Sequence, residues 1–413
     1  MTEHTPAIDL PTIYARAQAG DANAQVLLAR NFRNGWGVGR DPAAAFDWYR
    51  RAAEGGDAGA MYALAQMYDA GEGVPAEPAT AIAWLAKAAH AGHPPSQALY
   101  AWWLHQGHNA EPDLEAAVHW YRRAAEGGDA AARFNLGYMY AQGIGLARDE
   151  AQALSWYRKS AEQGYAKAQL NLGVFYATTG KTVQDEAEAV RWYRAAALQN
   201  YAKAQFNLGV MYAAGRGVPQ DDATAAEWIS KAATQGYAAA QYSLAVMYEK
   251  GMGVERDLTT ARGWLRLAAE QGYARAQFAL AQRLLEQRED PDARGRAIEW
   301  LDKAARKGYL KAQYRLGRVL CKVRGYQDDD ARTWLEHAAR RGHVRARYHV
   351  GVAYTKGERT ERDYARAYAW LALAAQEGDM DARRAVAKLR PALSEEVHAR
   401  ARRIQQDIEA GRR

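Results

Sequence analysis

The chain has 413 residues, 49% apolar content and one cysteine, Cys321, so it is long and apolar enough to fold and cannot form an internal disulfide. No run of 18 apolar residues occurs, which argues against a membrane-spanning helix, and the opening MTEHTPAIDLPTIYARAQAG lacks the basic and apolar regions of an export signal, so cytoplasm is the expected compartment. The net charge of +7 is unevenly divided: residues 273–413 hold 31 Lys+Arg against 20 Asp+Glu, and residues 1–272 hold 24 against 28.

In chain order, Met1 to Asp9 reads as a disordered lead. Leu10 to Gly20 reads as the second helix of an incomplete repeat, giving residues 1–20 as a lead and N-terminal cap. A periodic region follows from Asp21 to Gly378. Its clock is tryptophan: Trp48, Trp84, Trp120, Trp156, Trp192, Trp228, Trp264 and Trp300 recur every 36 residues, Trp334 follows after 34 and Trp370 after 36 more. A fixed period of this size predicts a solenoid of ten repeats, each unable to bury its apolar faces alone.

The unit is clearest in YAKAQFNLGVMYAAGRGVPQDDATAAEWISKAATQG, residues 201–236. With Tyr201 as position one, Ala204, Leu208 and Tyr212 lie on one face of a first helix. Gly209, beside Leu208, lets the paired helix approach. The turn Gly215-Arg-Gly217-Val-Pro219 ends that helix, and Asp221 or Asp222 caps the second. The second helix carries Ala225, Trp228 and Ala232 and stops at Gly236.

Departures are local. Repeat three begins Pro94-Pro95 and has Gly107-His108-Asn109 in its turn. Repeat five has Thr178-Thr179-Gly180-Lys181 and closes on Asn200, the second choice for a left-handed residue. Repeat eight, Leu285 to Asp290, lacks both turn glycines. Repeat nine loses two residues near Val323-Arg324-Gly325. Beyond the repeats, residues 379–413 are expected to cap the stack. A first-type helix runs from Asp379 to Arg390, Pro391 interrupts it, and Ser394 opens a last helix to about Glu409.

The recurring A-x-A-Q-x-x-L-G-x-x-Y, G-x-G-V, acidic residue, A-x-x-W, A-A and closing G are similar to the Sel1-like repeat, a branch of the tetratricopeptide-type helical solenoids. The resemblance spans 358 of 413 residues. It implies an all-α, α/α superhelical solenoid and a non-catalytic scaffold or adaptor that binds other proteins on a curved surface. Secreted relatives in this family often carry paired cysteines, and this chain does not.

Constellations that suggest chemistry have simpler readings. His105 and His108, with His93 nearby, are placed in a loop without an acid or Cys at ligand spacing, so no metal site is expected. Asp328-Asp329-Asp330 falls where Asp41, Asp113, Asp149, Asp185, Asp221, Asp257 and Asp363 fall, so helix capping accounts for it. The G-x-G turns follow helices and lack G-K-[ST], which argues against a phosphate loop. Cys321, at the end of a first helix, reads as packed. No catalytic pairing or cofactor is expected.

The surface then carries the functional reading. The first-helix stripe at positions three, six, ten and thirteen is expected, by resemblance to tetratricopeptide repeats, to line a concave groove. Position six supplies Tyr62, Phe134, Phe206 and Tyr242, either as inter-repeat packing or as partner contacts. Position ten adds Trp102 and Tyr138, position three adds Lys167 and Lys203, and position seven adds Asn171 and Asn207. Rings, amides and cations together suit a partner protein or extended peptide, including one with acidic groups. Lys311, Arg345 and Arg347 are expected to steer it electrostatically. The alternative is a nucleic-acid-associated protein using its basic C-terminal part, although no nucleic-acid motif is present. Trp36, between two glycines, is expected to be exposed.

Overall fold

The structure is a computed structural model that describes residues 10–108, 111–180, 182–287, 290, 292–326, 328–356 and 364–411. Expectations placed on Met1–Asp9, Asn109, Lys181, Arg288, Glu289 and Asp363 lie outside the described residues. The chain forms two compact units, residues 1–204 and 205–413. Among the described residues all regular elements are helical. No helix there is long and apolar enough to cross a membrane.

The first unit contains α1 (Leu10–Gln18), α2 (Ala22–Asn34), α3 (Pro42–Glu54), α4 (Ala58–Ala70), α5 (Pro78–His90), α6 (Pro94–Gln106), α7 (Leu114–Glu126), α8 (Ala130–Gln142), α9 (Glu150–Glu162), α10 (Ala166–Thr179) and α11 (Val183–Leu198). Next in the chain is α12 (Ala202–Ala214). The second unit continues with α13 (Asp222–Thr234), α14 (Ala238–Lys250), α15 (Leu258–Glu270), α16 (Ala274–Glu286), α17 (Ala293–Arg306), α18 (Leu310–Arg324), α19 (Asp329–Arg340), α20 (Val344–Lys356), α21 (Tyr364–Gln376), α22 (Met380–Leu389) and α23 (Glu395–Ala410). From α2 to α11 in the first unit and from α14 to α21 in the second, each even-numbered helix packs on the odd one after it to form a repeat, and the odd helix packs on the next even one of its unit. This is the α-helical solenoid that the period predicts.

Six of the second helices begin on a capping aspartate, whereas Glu77 before α5 makes no side-chain cap bond. Asp41, Asp113, Asp149, Asp221, Asp257 and Asp328 each accept a hydrogen bond from a backbone N–H in the first turn of the helix that follows. Asp221, not Asp222, is thus the cap of α13. Repeat five differs from expectation. Thr182 is the cap there, and Asp185 lies three residues on, returning its carboxylate to the Thr182 N–H at 3.1 Å in a capping box. Asn200 takes a left-handed φ of 63° in place of the usual glycine.

Close helix pairing depends on position nine. A methyl group on Gly209 would meet Ile229 Cγ1 at 2.6 Å and the Ala225 carbonyl oxygen at 3.0 Å. Gly137 faces Tyr157, Gly173 faces Tyr193, Gly317 faces Leu335 and Gly351 faces Leu371 in the same way. The residue filling this notch follows the periodic tryptophan. It is buried in these repeats, whereas Trp228 and several of the other periodic tryptophans are only half-buried. The ring face left over is covered by a cation one turn on: Lys87 lies 4.2 Å from the Trp84 ring centre, Lys159 4.1 Å from Trp156 and Lys231 4.3 Å from Trp228.

Successive repeats are joined by a polar interlock at position five. Gln97 Nε2 donates to the Ala89 carbonyl, Gln169 to Ala161, Gln241 to Ala233, Gln277 to Ala269 and Gln313 to Ala305, each over 3.1–3.2 Å. These carbonyls lie at the C-terminal ends of second helices, where no intrahelical donor remains. The interlock also marks the caps. Gln25 donates to Ala17 of α1, and Arg383 of α22 donates to Ala375. Hence α1 behaves as a second helix and α22 as a first helix. A 3-10 turn at Arg390–Ala392 ends α22, and Ser394 caps α23, which packs on α21.

Candidate interaction surface

The expected stripe of positions three, six, ten and thirteen splits in two. Residues seven apart on a helix share a direction, so three pairs with ten and six pairs with thirteen. Positions three and ten face solvent in several repeats. Position six instead packs against position one of the next repeat. Phe134 lies 5.5 Å from Tyr165 between ring centres, Phe206 5.4 Å from Tyr237, Tyr242 5.6 Å from Tyr273, and Tyr62 5.4 Å from His93. Position thirteen bonds across the same seam: Arg33 Nε donates to Glu72 at 2.9 Å, and Asp69 lies 2.7 Å from His108 Nε2.

In the first unit this leaves a row at position ten. Trp102 is 45% exposed, Tyr138 40% and Val174 39%. Lys167 and Lys203 at position three are exposed in the same unit. Asn171 is half-buried beside the row, and its side chain bonds the Tyr157 hydroxyl, whose titration burial pushes up to about 12. Tyr62 and Phe134 form the half-buried seam behind. Phe206, Asn207 and Tyr242 belong to the second unit and are half-buried there.

Two of the three cations expected to steer a partner are structural. Arg347 is 0% exposed. Its Nε donates to the Ala339 carbonyl at 3.1 Å, and its Nη1 lies 2.7 Å from Glu377 Oε1. Arg345 is held 3.1 Å from Asp379 and 2.8 Å from Asp381, and it keeps the Asp381 carboxyl below the usual range. A periodicity argument counts both as surface charge; burial and pairing remove them from that role. Lys311 is exposed.

The histidines also differ from expectation. His105 lies in the last turn of α6, not in a loop. His108 does have an acid beside it, Asp69 from the preceding repeat, and its ring centre lies 4.5 Å from that of Trp103, tilted by 32°. No group of three or more metal-ligating side chains occurs among the described residues. Trp36 is 54% exposed. Cys321 is buried, which pushes its thiol up to about 11, as suits a packed side chain rather than a nucleophile.

Arg315 and Arg318, on the same first helix as Lys311, are not among the cations that the sequence pattern singles out. In repeat nine, positions seven and ten carry Arg315 and Arg318; position seven is uncharged in repeats one to eight, whereas position ten already carries Arg30 in repeat one. The change to a charge at position seven is the signal the sequence offers.

The family model of the Sel1 repeat matches residues 22–57, 58–93, 94–129, 130–165, 166–201, 202–237, 238–273, 274–309, 310–343 and 344–379. Among solved structures, the chain is similar to c5321, a protective antigen present in uropathogenic Escherichia coli strains displaying an SLR fold, at 30% identity over 97% of this chain and 94% of that one, with a TM-score of 0.64. It is also similar to a Sel1 repeat protein from Oxalobacter formigenes at 28% identity, covering 59% of this chain and 96% of that one, with a TM-score of 0.52. No curated protein matches the chain.

Proposed function

Since the chain belongs to the Sel1 repeat family, whose fold is commonly a protein–protein interaction scaffold, we propose that it is a non-catalytic scaffold that holds an extended segment of a partner protein. The observation that carries this reading is the exposed row of Trp102, Tyr138 and Val174 at one repeat position of the first unit. Large rings left in water at successive equivalent positions are costly unless a partner covers them, and Trp and Tyr are the residues most often found at binding hot spots. Lys167 and Lys203 flank the row and suit carboxylates on that partner. Asn171 supplies an amide at its edge. Phe206, Asn207 and Tyr242 offer related chemistry in the second unit.

The test is capture of a partner from lysate by the wild type and by Trp102→Ala with Tyr138→Ala, at low and high salt and with nuclease. The double variant is expected to lose a nuclease-resistant protein partner, with helical circular dichroism and melting unchanged. Capture that persists in the folded variant would remove the row from the binding site. A partner lost on nuclease treatment would favour nucleic-acid association instead.

A further inference from the structure

The second unit contains a cavity of about 770 Å3 walled by α16, the turn after it, the start of α17, and α18. The site coincides with the irregular repeats. Repeat eight has no glycine turn, and α18 runs to 15 residues where most first helices have 13.

The charge of the cavity is one-sided. Arg294, Arg315, Arg318 and Lys322 face one carboxylate, Asp290, which is taken up by an ion pair with Arg296. Among the described residues no carboxylate pairs with any of the four cations. Arg318 is held in place: its Nη1 donates to the Tyr314 hydroxyl at 3.3 Å and contacts His349 Nε2. His349 is buried, and burial together with the charges of Arg318 and Arg345 pushes its titration down to about 3, so it stays neutral and accepts from the guanidinium. Its Nδ1 lies 3.4 Å from the Tyr326 hydroxyl. The lining is otherwise largely aliphatic: Leu284 and Leu285 come from α16, and Val319 and Val323 stand beside the cations on α18.

Spacing and lining decide the kind of anion. Arg315, Arg318 and Lys322 lie three and four residues apart on one helix, spreading their charge over about 10 Å. Cations so spread match a line of carboxylates on an extended chain better than a single phosphate. Among the described residues the lining contains no aromatic ring on which a base would stack, which separates the cavity from single-stranded nucleic-acid sites. We infer that this cavity takes an extended peptide segment in which acidic and aliphatic side chains alternate. The inference rests on the reading of the chain as a binder of protein segments and adds the chemistry of one such segment.

The test uses the full chain and a fluorescein-labelled ten-residue peptide of alternating Glu and Leu, read by anisotropy. Controls are an alternating Lys-Leu peptide and a ten-nucleotide oligothymidine. Wild type is expected to bind the acidic peptide and neither control, with affinity falling as salt rises. Arg315→Glu with Lys322→Glu, both exposed positions, is expected to bind it roughly tenfold or more weakly with an unchanged melting point. Leu284→Ala is expected to weaken it through the aliphatic wall. Equal binding by wild type and the folded charge-reversed variant would overturn the inference, as would preferential binding of oligothymidine. A lysate partner captured equally by wild type and the charge-reversed variant would remove the cavity while leaving the scaffold reading intact.

Discussion

Arg347 Nη1 and Glu377 Oε1, 30 residues apart, lie 2.7 Å from each other in the last repeat. Three earlier seams use the same register with neutral groups. Gln199 Nε2 donates to Gln169 Oε1 at 2.8 Å, Gln235 to Gln205 at 2.6 Å and Gln271 to Gln241 at 2.8 Å. The final seam therefore replaces an amide pair by an ion pair at one position of the interlock. Its arginine is fully buried, so losing the acid would strand a charge. Glu377→Gln is expected to destabilise the second unit by about 2–3 kcal/mol. Adding Arg347→Gln recreates the earlier amide pair and is expected to restore most of that loss. Urea unfolding of the single and double variants checks this; a double variant less stable than the single one would contradict it.

Gly209 and Gly263 make a matched pair of glycine sites. Gly209→Ala drives a methyl group into Ile229 and the Ala225 carbonyl and is expected to cost about 2 kcal/mol. Gly263, inside α15, has nothing within 4 Å of an added Cβ. Gly263→Ala is expected to be neutral or to stabilise by up to about 1 kcal/mol. Equal melting points for the two variants would show that the notch does not set helix spacing.

Trp228 contributes through one half-buried ring with Lys231 over its face. Trp228→Ala is expected to cost about 3 kcal/mol, the lower end for truncating a large core aromatic. Lys231→Ala should cost only about 0.5 kcal/mol. An unchanged melting curve for Trp228→Ala would mean that the periodic tryptophan is not a packing residue.

Much of this packing is legible in the sequence. The tryptophan period sets the helix pairs, an aspartate before six of the second helices marks the cap, and Gly209 beside Leu208 announces a close approach. Trp102 stands out because its position otherwise favours smaller residues, and it is exposed. The position-five glutamines are harder to read. A polar residue on an amphipathic pattern reads as surface, yet Gln205 is buried and its equivalents spend their amides on helix-end carbonyls. Arg347 and Arg345 are hidden from a sequence pattern for a related reason. Spacing along one helix cannot show a carboxylate brought from 30 or more residues away. The clue was the paired change, Arg347 and Glu377 both standing where glutamines stand in other repeats.

Acid should loosen the first unit through Glu72. Arg33, with Arg40 beside it, holds its carboxyl below the ordinary 4.5 despite partial burial. A carboxyl depressed in the folded state contributes stability above its unfolded value, and that contribution is lost as pH falls through the lower folded value. Glu72→Gln is therefore expected to lower the urea midpoint at pH 7, by about 1 kcal/mol of stability, and to match wild type near pH 3. The same deficit at both pH values would contradict the pairing.

The most direct measurement of partner binding places a photo-crosslinking side chain at Tyr138, on the exposed first-helix row, and separately at Glu115, exposed on a second helix. Irradiation in lysate is expected to give a discrete protein adduct from position 138 and none from 115. Adducts from 115 alone would put the binding face on the second helices and contradict the assignment of the Trp102–Tyr138 row.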